Sequence, residues 1–180
     1  MVRSLVHKLK AIYYTHQVKR KAKVMGRIRV NGSGKIIGAH NLHIGDNTHF
    51  AGLYYINALG GVWIGENCHI SRNFTLYSCN HDYAGTAIPY DDNLVLKPVN
   101  IKDNVWIGMN VSIIPGVTIG HGAIIGMGSV VAGKVPPLAI VGGNPATIVK
   151  FRNAQHYEKL VARGFFGGTS GRLVIKKPKS

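Results

Sequence analysis

Aliphatic residues recur at every sixth position in the second half of the chain. A helix repeats its apolar positions every three or four residues and a strand every two, so a sustained period of six indicates a short, turn-bounded unit that is repeated. The series consists of Ile101, Ile107, Ile113, Ile119, Ile125 and Val131, and it is preceded by Ile44, Phe50, Ile64, Ile70 and Leu76.

A second set of small or branched residues lies four positions after each aliphatic of the main series: Val105, Val111, Val117, Ala123 and Ser129. Each hexad therefore supplies two inward side chains. Such units bury no face alone, but they form a continuous core when they are wound into coils stacked about 4.7 to 4.9 Å apart. The sequence predicts a parallel β-helix, an all-β solenoid, in preference to a β-sandwich with chance spacing.

The repeat is interrupted between Leu76 and Ile101. The stretch from Asp82 to Asn100 contains prolines, tyrosines and acidic residues but no hexad, so we expect a loop at about residues 82–100 to leave the coil. Long insertions in compact folds are usually functional. His81 stands at the root of this loop, and an imidazole is suited to take a proton from a hydroxyl or amine at neutral pH.

The positive charge of the chain lies at its two ends. The formal net charge is +15, and residues 26–149 contribute only +1 of it. A near-neutral body argues against a nucleic-acid-binding surface, where basic and aromatic residues share a folded face. We divide the chain into a basic helical extension (1–25), a β-helix domain (26–149) and a basic C-terminal helix and tail (150–180), with the short closing helix at residues 153–163.

The N-terminal extension has an apolar stripe at helical spacing. Two interpretations are open. The stripe packs on the barrel, which we favour because apolar stripes usually face a core, or it lies on an anionic membrane. The stripe consists of Val2, Leu5, Val6, Leu9, Ile12 and Tyr13, with Arg3, Lys8 and Lys10 elsewhere on the helix.

The two cysteines, Cys68 and Cys79, are too few for a disulfide framework, and Cys68 falls on an inward position of the repeat. We expect both to be reduced and Cys68 to lie in the core. The sequence contains no apolar run of the roughly 18 residues that span a membrane and no signal-peptide pattern, so a cytoplasmic location is expected.

From about Gly38 to Arg152 the sequence resembles the hexapeptide-repeat acyltransferases, and within them the galactoside and maltose O-acetyltransferase branch. The resemblance is carried by four ordered segments: Val105–Gly108, Ile113–Gly120, Gly126–Ser129 and Gly142–Ala146. It implies a left-handed β-helix, a homotrimer with active sites between protomers, and acetyl-CoA as the acyl donor, without a metal.

The resemblance also assigns roles in the active site. His81, at the end of the coil before the loop, is implied to be the general base, and Asn57, one coil earlier, to hold the acceptor or the developing oxyanion. Asn80, Asp82 and Tyr83 surround His81 in the sequence and are the candidate acceptor-binding residues. Either Asp82 or one of the loop carboxylates is a candidate for orienting His81.

For acetyl-CoA, the resemblance implies a groove along the solenoid edge between subunits. Trp106 is implied to line the groove, and Lys150, Arg152 and Lys134 are implied to share the contact with the nucleotide phosphates. The other implied cofactor-binding positions are Met109, Met127, Ala132, Gly133, Asn144 and Thr147, the last of which departs from the arginine common in relatives.

The predicted reaction is direct acetyl transfer from acetyl-CoA to a hydroxyl of a sugar or polysaccharide precursor, including those of lipopolysaccharide type, close to the inner membrane. An N-acetyltransferase acting on an amino sugar is the nearest alternative. A non-catalytic trimeric scaffold is a further one, because a fold alone does not guarantee activity. A three-histidine zinc hydratase is disfavoured because the barrel histidines do not include the required pair five residues apart.

Overall fold

The computed structural model describes residues 2–168 and 172–176, with backbone only for residues 2–4. The predicted stripe position Val2, the basic position Arg3 and the end of the lysine-rich tail therefore lie outside the described side chains. Two α-helices, α1 (Val2–Lys21) and α2 (Ala154–Ala162), flank a long series of short strands. Within the described chain, no helix is long and apolar enough to cross a membrane.

The strands wind into five complete coils and part of a sixth. The first three coils are β1 (Lys23–Val24), β2 (Ile28–Val30) and β3 (Gly34–Ile37); β4 (Leu42–Ile44), β5 (Thr48–Phe50) and β6 (Tyr54–Asn57); and β7 (Val62–Ile64), β8 (His69–Ile70) and β9 (Phe74–Tyr77). Two strands outside the coils, β10 (Cys79–His81) and β11 (Leu94–Leu96), come next. The fourth coil is β12 (Val99–Ile101), β13 (Trp106–Ile107) and β14 (Ser112–Ile113), the fifth is β15 (Thr118–Ile119), β16 (Ile124–Ile125) and β17 (Val130–Val131), and the partial sixth contains β18 (Ala139–Gly142). A 3₁₀ turn, Ala39–Asn41, links β3 to β4, and β19 (Thr147–Phe151), β20 (Phe165–Gly167) and β21 (Leu173–Ile175) follow the last coil.

These strands form three parallel sheets on the sides of a triangular barrel. The first, second and third strands of successive coils make up sheets A, B and C, and β19 adds an antiparallel strand to the end of sheet B. We call the corners between the sheets AB, BC and CA, in the order in which the chain passes them. Because the first strand, β1, already pairs with β4, the solenoid begins at Lys23, before the expected boundary at residue 26.

The six-residue series forms the core of the barrel. Each of its members from Ile101 to Val131 is at most 2% exposed, and so are the residues of the second set, from Val105 to Ser129. The parallel register places equivalent side chains over one another, for example Ile101 over Ile64 and Ile107 over Ile70. Cys68 is also buried in this column, as expected, and both cysteines are free thiols. The predicted all-β solenoid is confirmed.

Asparagines form a ladder along the AB corner. Asn47, Asn67 and Asn104 all have positive φ, a conformation that asparagine tolerates better than most residues. The side-chain amide of Asn47 donates to Oδ1 of Asn67 at 2.9 Å, and that of Asn67 donates to Oδ1 of Asn104 at 3.0 Å. Each side-chain amide thereby satisfies the side-chain oxygen of the asparagine in the next coil, and these hydrogen bonds hold the corners of successive coils in register.

The interruption of the repeat is a hairpin that leaves the CA corner. Strand β10 turns outward after the third coil and pairs antiparallel with β11. The coil resumes at Val99, which is buried and pairs with Val62. The predicted loop range of 82–100 is therefore too long at its end, because Val99 and Asn100 belong to strand β12.

Helix α1 packs on the first coil, but not through the predicted stripe. Ala11 and Val18 are buried against the barrel, and Thr15 Oγ1 accepts a 2.9 Å hydrogen bond from the backbone N–H of Val30. The stripe itself points away from the barrel: Leu5, Val6, Leu9, Ile12 and Tyr13 are all exposed. The favoured interpretation was thus right about the packing of the helix and wrong about the face that packs.

The C-terminal segment folds back along the AB corner. Helix α2 is capped by Asn153, and the Tyr157 hydroxyl accepts a 2.7 Å hydrogen bond from Asn104, at the end of the asparagine ladder. The hairpin of β20 and β21 then follows, and Lys176 forms a 2.8 Å salt bridge with Asp46. The described residues after α2, 163–168 and 172–176, therefore belong to the folded structure.

His49, on the outer face of sheet B, is held in its neutral form. Arg29 Nε donates to Asn31 Oδ1 at 2.7 Å, which fixes the Asn31 amide so that its nitrogen donates to His49 Nε2 at 2.8 Å. A ring nitrogen that accepts a hydrogen bond carries no proton. Burial, together with the neighbouring His69 and Arg29, lowers the pKa of His49 from 6.5 to about 4.

We expect His49 to make the fold sensitive to acid. As the pH falls from about 6.5 to about 4, the unfolded chain takes up a proton at this residue before the folded chain does, so stability decreases across that window. The urea midpoint should fall less in His49→Gln than in the wild type between pH 7 and pH 4.5. An equal fall in both proteins would show that His49 does not contribute.

Candidate active site

His81 lies at the end of β10, where the chain leaves the barrel. Its strand pairs with β11, and His81 is opposite Leu94. The side chain is exposed, and its backbone N–H donates to Oδ1 of Asn80 at 3.0 Å. The hairpin thus presents the imidazole to solvent on a short, paired strand that is continuous with the barrel.

The imidazole of His81 stacks on the ring of Tyr90, from the far side of the loop. The ring centroids are 3.9 Å apart and the planes are inclined by 17°. Tyr90 was not among the predicted site residues, because it lies in a segment without periodicity and nine positions away from His81. The contact covers one face of the imidazole and limits its rotation, while the ring edge remains accessible.

The loop carboxylates shape the loop and do not contact His81. Asp91 accepts hydrogen bonds from the backbone N–H groups of Thr86 and Asn93, at 3.0 and 2.9 Å. These bonds lower the pKa of the Asp91 carboxyl. Asp82 Oδ1 accepts from the backbone N–H of Ala84 at 2.9 Å. Asp91 therefore holds the turn that presents the adjacent Tyr90 to His81.

Asn57 lies under the root of the hairpin, at the CA corner of the preceding coil. Its carbonyl oxygen accepts two 2.9 Å hydrogen bonds from Ser78, one from the backbone N–H and one from the hydroxyl. Its side-chain oxygen accepts a 3.2 Å hydrogen bond from the backbone N–H of Leu59, and its side chain lies beside the Cys79 thiol. The structure therefore places Asn57 and His81 on the same corner, linked by Ser78 and Cys79.

Two tyrosines stack on the outer face of sheet C beside this corner. The rings of Tyr55 and Tyr77 have centroids 5.4 Å apart and planes inclined by 19°. Lys35 extends the stack, with its ammonium 5.7 Å from the Tyr55 centroid. Sequence reasoning missed this surface, because Tyr55 pairs with Thr75 and Tyr77 with Asn57, so the two tyrosines meet diagonally and not at equivalent positions of the repeat. Asp82 and Tyr83 lie at the start of the loop above it.

Three of the predicted acetyl-CoA-binding residues lie together on the BC corner. Met109, Met127 and Asn144 occupy the turns of consecutive coils, and the N–H of Gly128 donates to the Met109 carbonyl at 2.8 Å. Both methionines are exposed. A flexible thioether ridge of this kind suits the apolar part of an extended ligand.

Trp106 lies on sheet B, between His69 and Ile124 of the adjacent strands. It is 54% exposed and borders a cavity of about 440 Å³ whose other wall is formed by Tyr157, Phe165 and Phe166 of the C-terminal segment. The contribution of this segment was not predicted, because no motif marks it in the sequence.

The remaining candidates occupy two places. Ala132, Gly133 and Lys134 lie on the CA corner, the same corner as His81, in the turn that follows β17. Thr147 and Lys150 lie on β19, at the end of sheet B, and both are exposed.

One protomer does not bring all of these residues together. His81 and Asn57 lie on the CA corner, whereas Met109 and Met127 lie on the BC corner and Trp106 on sheet B. The whole of sheet C separates the candidate base from these cofactor-binding positions. Within the part of the chain that the structure describes, no three metal-ligating side chains are grouped closely enough to hold a metal ion.

The chain is similar to a known protein family and to several named relatives. The family described as "Bacterial transferase hexapeptide (six repeats)" matches residues 98–133. A protein of Escherichia coli K12, provisionally named a lipopolysaccharide biosynthesis O-acetyl transferase, is 32% identical over 142 residues, covering 74% of this chain and 68% of the relative.

Solved structures give the same result. A maltose O-acetyltransferase of Clostridium difficile 630 has a TM-score of 0.69 and is 31% identical, over 76% of this chain and 73% of that one. A hexapeptide-repeat acetyltransferase of Vibrio cholerae, complexed with acetyl-CoA, has a TM-score of 0.67 and is 26% identical, over 77% and 75%. The predicted left-handed β-helix is confirmed by these likenesses, and the chain belongs to the hexapeptide-repeat acetyltransferases.

Proposed function

We propose that this acetyltransferase moves the acetyl group of acetyl-CoA to a hydroxyl of a sugar or polysaccharide precursor, with His81 as the general base. The observation that carries the proposal is the presentation of the His81 imidazole, stacked on Tyr90 with its ring edge accessible, beside an exposed aromatic surface. The names of the E. coli and C. difficile relatives support an O-linked sugar product.

The reaction proceeds by direct transfer. A ring nitrogen of His81 takes the proton of the acceptor hydroxyl, and the oxygen attacks the thioester carbonyl. The tetrahedral intermediate then collapses, the carbon–sulfur bond breaks, and the leaving thiolate of CoA takes the proton from the imidazolium. We propose the Asn57 amide as a donor to the developing oxyanion, because it lies beside Cys79 under the same hairpin.

A covalent intermediate on cysteine is disfavoured. Burial raises the pKa of Cys68 to about 12 and that of Cys79 above its usual value. A thiol that resists ionisation is a poor nucleophile, because the thiolate is the reactive form.

The acceptor is proposed to lie on the stacked faces of Tyr55 and Tyr77. Aromatic faces pack well against the C–H faces of sugar rings, and the polar rim offers hydrogen bonds for the hydroxyls. Asn80, Asp82 and Tyr83 form the proposed rim at the start of the loop. An amino sugar would fit the same surface, so N-acetylation is the rival outcome.

We propose that the active site is completed by a second protomer of a homotrimer. A cyclic trimer brings one corner of a protomer against a different corner of its neighbour. The CA corner with His81 would then face Trp106 and the methionine ridge of the adjacent chain, and acetyl-CoA would lie between them. Ala132, Gly133, Asn144 and Thr147 are proposed to contact it, with Lys134 and Lys150 at its phosphates.

The location is proposed to be cytoplasmic, with peripheral contact to an anionic membrane. Two free, buried thiols agree with a reducing compartment. The basic ends of the chain favour an acceptor at the inner membrane surface, such as a lipid-linked sugar.

Replacing His81 should remove most of the activity. General-base assistance is typically worth about 10²- to 10⁴-fold, so kcat of His81→Ala should fall by that order while acetyl-CoA binding remains. The measurement is thiol release from acetyl-CoA with a panel of sugars, amino sugars and nucleotide sugars, with the product masses recorded. His156→Ala, an exposed histidine on α2, is the matched control and should be unchanged.

Two results would contradict the proposal. Equal activity in His81→Ala and the wild type would exclude the assigned base. Turnover of amines but of no hydroxylated acceptor would establish N-acetylation instead.

Tyr90 should act by positioning the imidazole. Loss of the stacked ring in Tyr90→Ala should lower kcat about tenfold, because this factor corresponds to the interaction free energy of a good aromatic pair. The KM for acetyl-CoA should change little. Tyr90→Phe retains the ring and should restore kcat.

The control for this prediction is Ile88→Ala, which changes a 99% exposed residue of the same loop. If Tyr90→Ala and Ile88→Ala have the same kcat, the stack has no catalytic role.

A further inference from the structure

Helix α1 has two apolar faces, and only one of them is covered. The inner face packs on the barrel through Ala11 and Val18. The outer face is formed by large apolar side chains that are 43 to 67% exposed: Leu5, Val6, Leu9, Ile12 and Tyr13. We call these five residues the outer ridge.

The outer ridge points directly away from the barrel. At about 100° per residue, Leu9 lies about 180° around the helix from the buried Val18. Residues 5–10 are exposed without exception, so the first turns of the described helix have no cover from the barrel. The ridge is therefore free to meet a surface outside the protomer.

Positive charge borders the ridge on both sides. By the same rotation, Lys8 and Lys19 lie on one flank and Lys10 and Lys21 on the other, each about 80 to 120° from Leu9. On the first flank, Lys8, Lys19, Arg27 and Arg29 line a groove of about 620 Å³ between the helix and the first coil. The sequence contains no acidic residue before Asp46.

These features favour a lipid surface over the other partners. A nucleic acid has a charged backbone and no aliphatic surface against which the ridge could be buried. A second copy of the chain offers few acidic groups, because only seven acidic residues are present, and Asp46 and Glu66 already pair with Lys176. An aliphatic ridge with basic flanks fits a bilayer that combines acyl chains with anionic headgroups.

We propose that the outer ridge and its basic flanks bind the surface of an anionic phospholipid bilayer, with α1 in the plane of the membrane. The ridge enters the headgroup and acyl boundary, and the lysines remain at the headgroups. The inference deepens the membrane contact of the proposed function by naming its surface. It does not depend on the acetyl-transfer chemistry, which is measured separately with soluble acceptors.

The test is co-sedimentation of the full chain with vesicles of phosphatidylcholine, alone or mixed with phosphatidylglycerol. The wild type should bind the anionic vesicles and bind less at high salt, because the charge term is screened. The combined variant Leu5→Gln, Leu9→Gln and Ile12→Gln should bind at least about tenfold more weakly, because three apolar side chains no longer enter the bilayer.

The matched control changes three apolar residues elsewhere that are each more than 60% exposed: Ile88→Gln, Leu173→Gln and Ile175→Gln. It should bind vesicles like the wild type. Equal thermal midpoints and acetyl-CoA binding in all three proteins would establish that the ridge variant is folded.

Three outcomes would overturn the proposal. The wild type could fail to co-sediment with anionic vesicles, or the ridge variant could bind them as well as the wild type does. A ridge variant with a lower molar mass in light scattering would show instead that the ridge joins copies of the chain. A ridge variant that loses vesicle binding but keeps full activity on soluble sugars would support the proposal that the ridge binds a membrane, and it would leave the proposed chemistry intact.

Discussion

The fold depends on the vertical stacking of equivalent side chains inside the barrel. Each inward aliphatic rests on its counterpart in the next coil, as Ile107 does on Ile70, and parallel pairing of the strands keeps this register. A one-residue change of length within a strand would turn its inward side chains to the outer face. Variation is therefore confined to corners, insertions and ends, and these are the places where the candidate chemistry lies.

The location of the chemistry follows from this constraint. The hairpin that carries His81 leaves the CA corner after the third coil, and the chain returns to the column at Val99, so the insertion does not disturb the register. The proposed acetyl-CoA groove uses turns that repeat along another corner. Because a triangular barrel keeps its corners apart, a single protomer separates the two halves of the site, which makes an assembly of protomers the simplest way to unite them.

Periodic features of the structure could be predicted from the sequence, and aperiodic ones could not. The hexads predicted the core, and the break in the hexads predicted an insertion rooted at His81. The stack on Tyr90 depends on a turn held by Asp91, which no repeat encodes. The orientation of α1 was mistaken because the helix has two apolar stripes, and the smaller one, around Ala11, is the one that packs.

The central claim is that His81 and Trp106 of different chains form one active site. Co-expression of His81→Ala with Trp106→Ala chains, followed by purification of mixed assemblies, tests it directly. If the site is shared, some interfaces combine the intact histidine of one chain with the intact tryptophan of the other. Activity should then recover to about a quarter of the wild-type value by random assortment, although each variant alone is nearly inactive. Mixed assemblies no more active than the single variants would contradict a shared site.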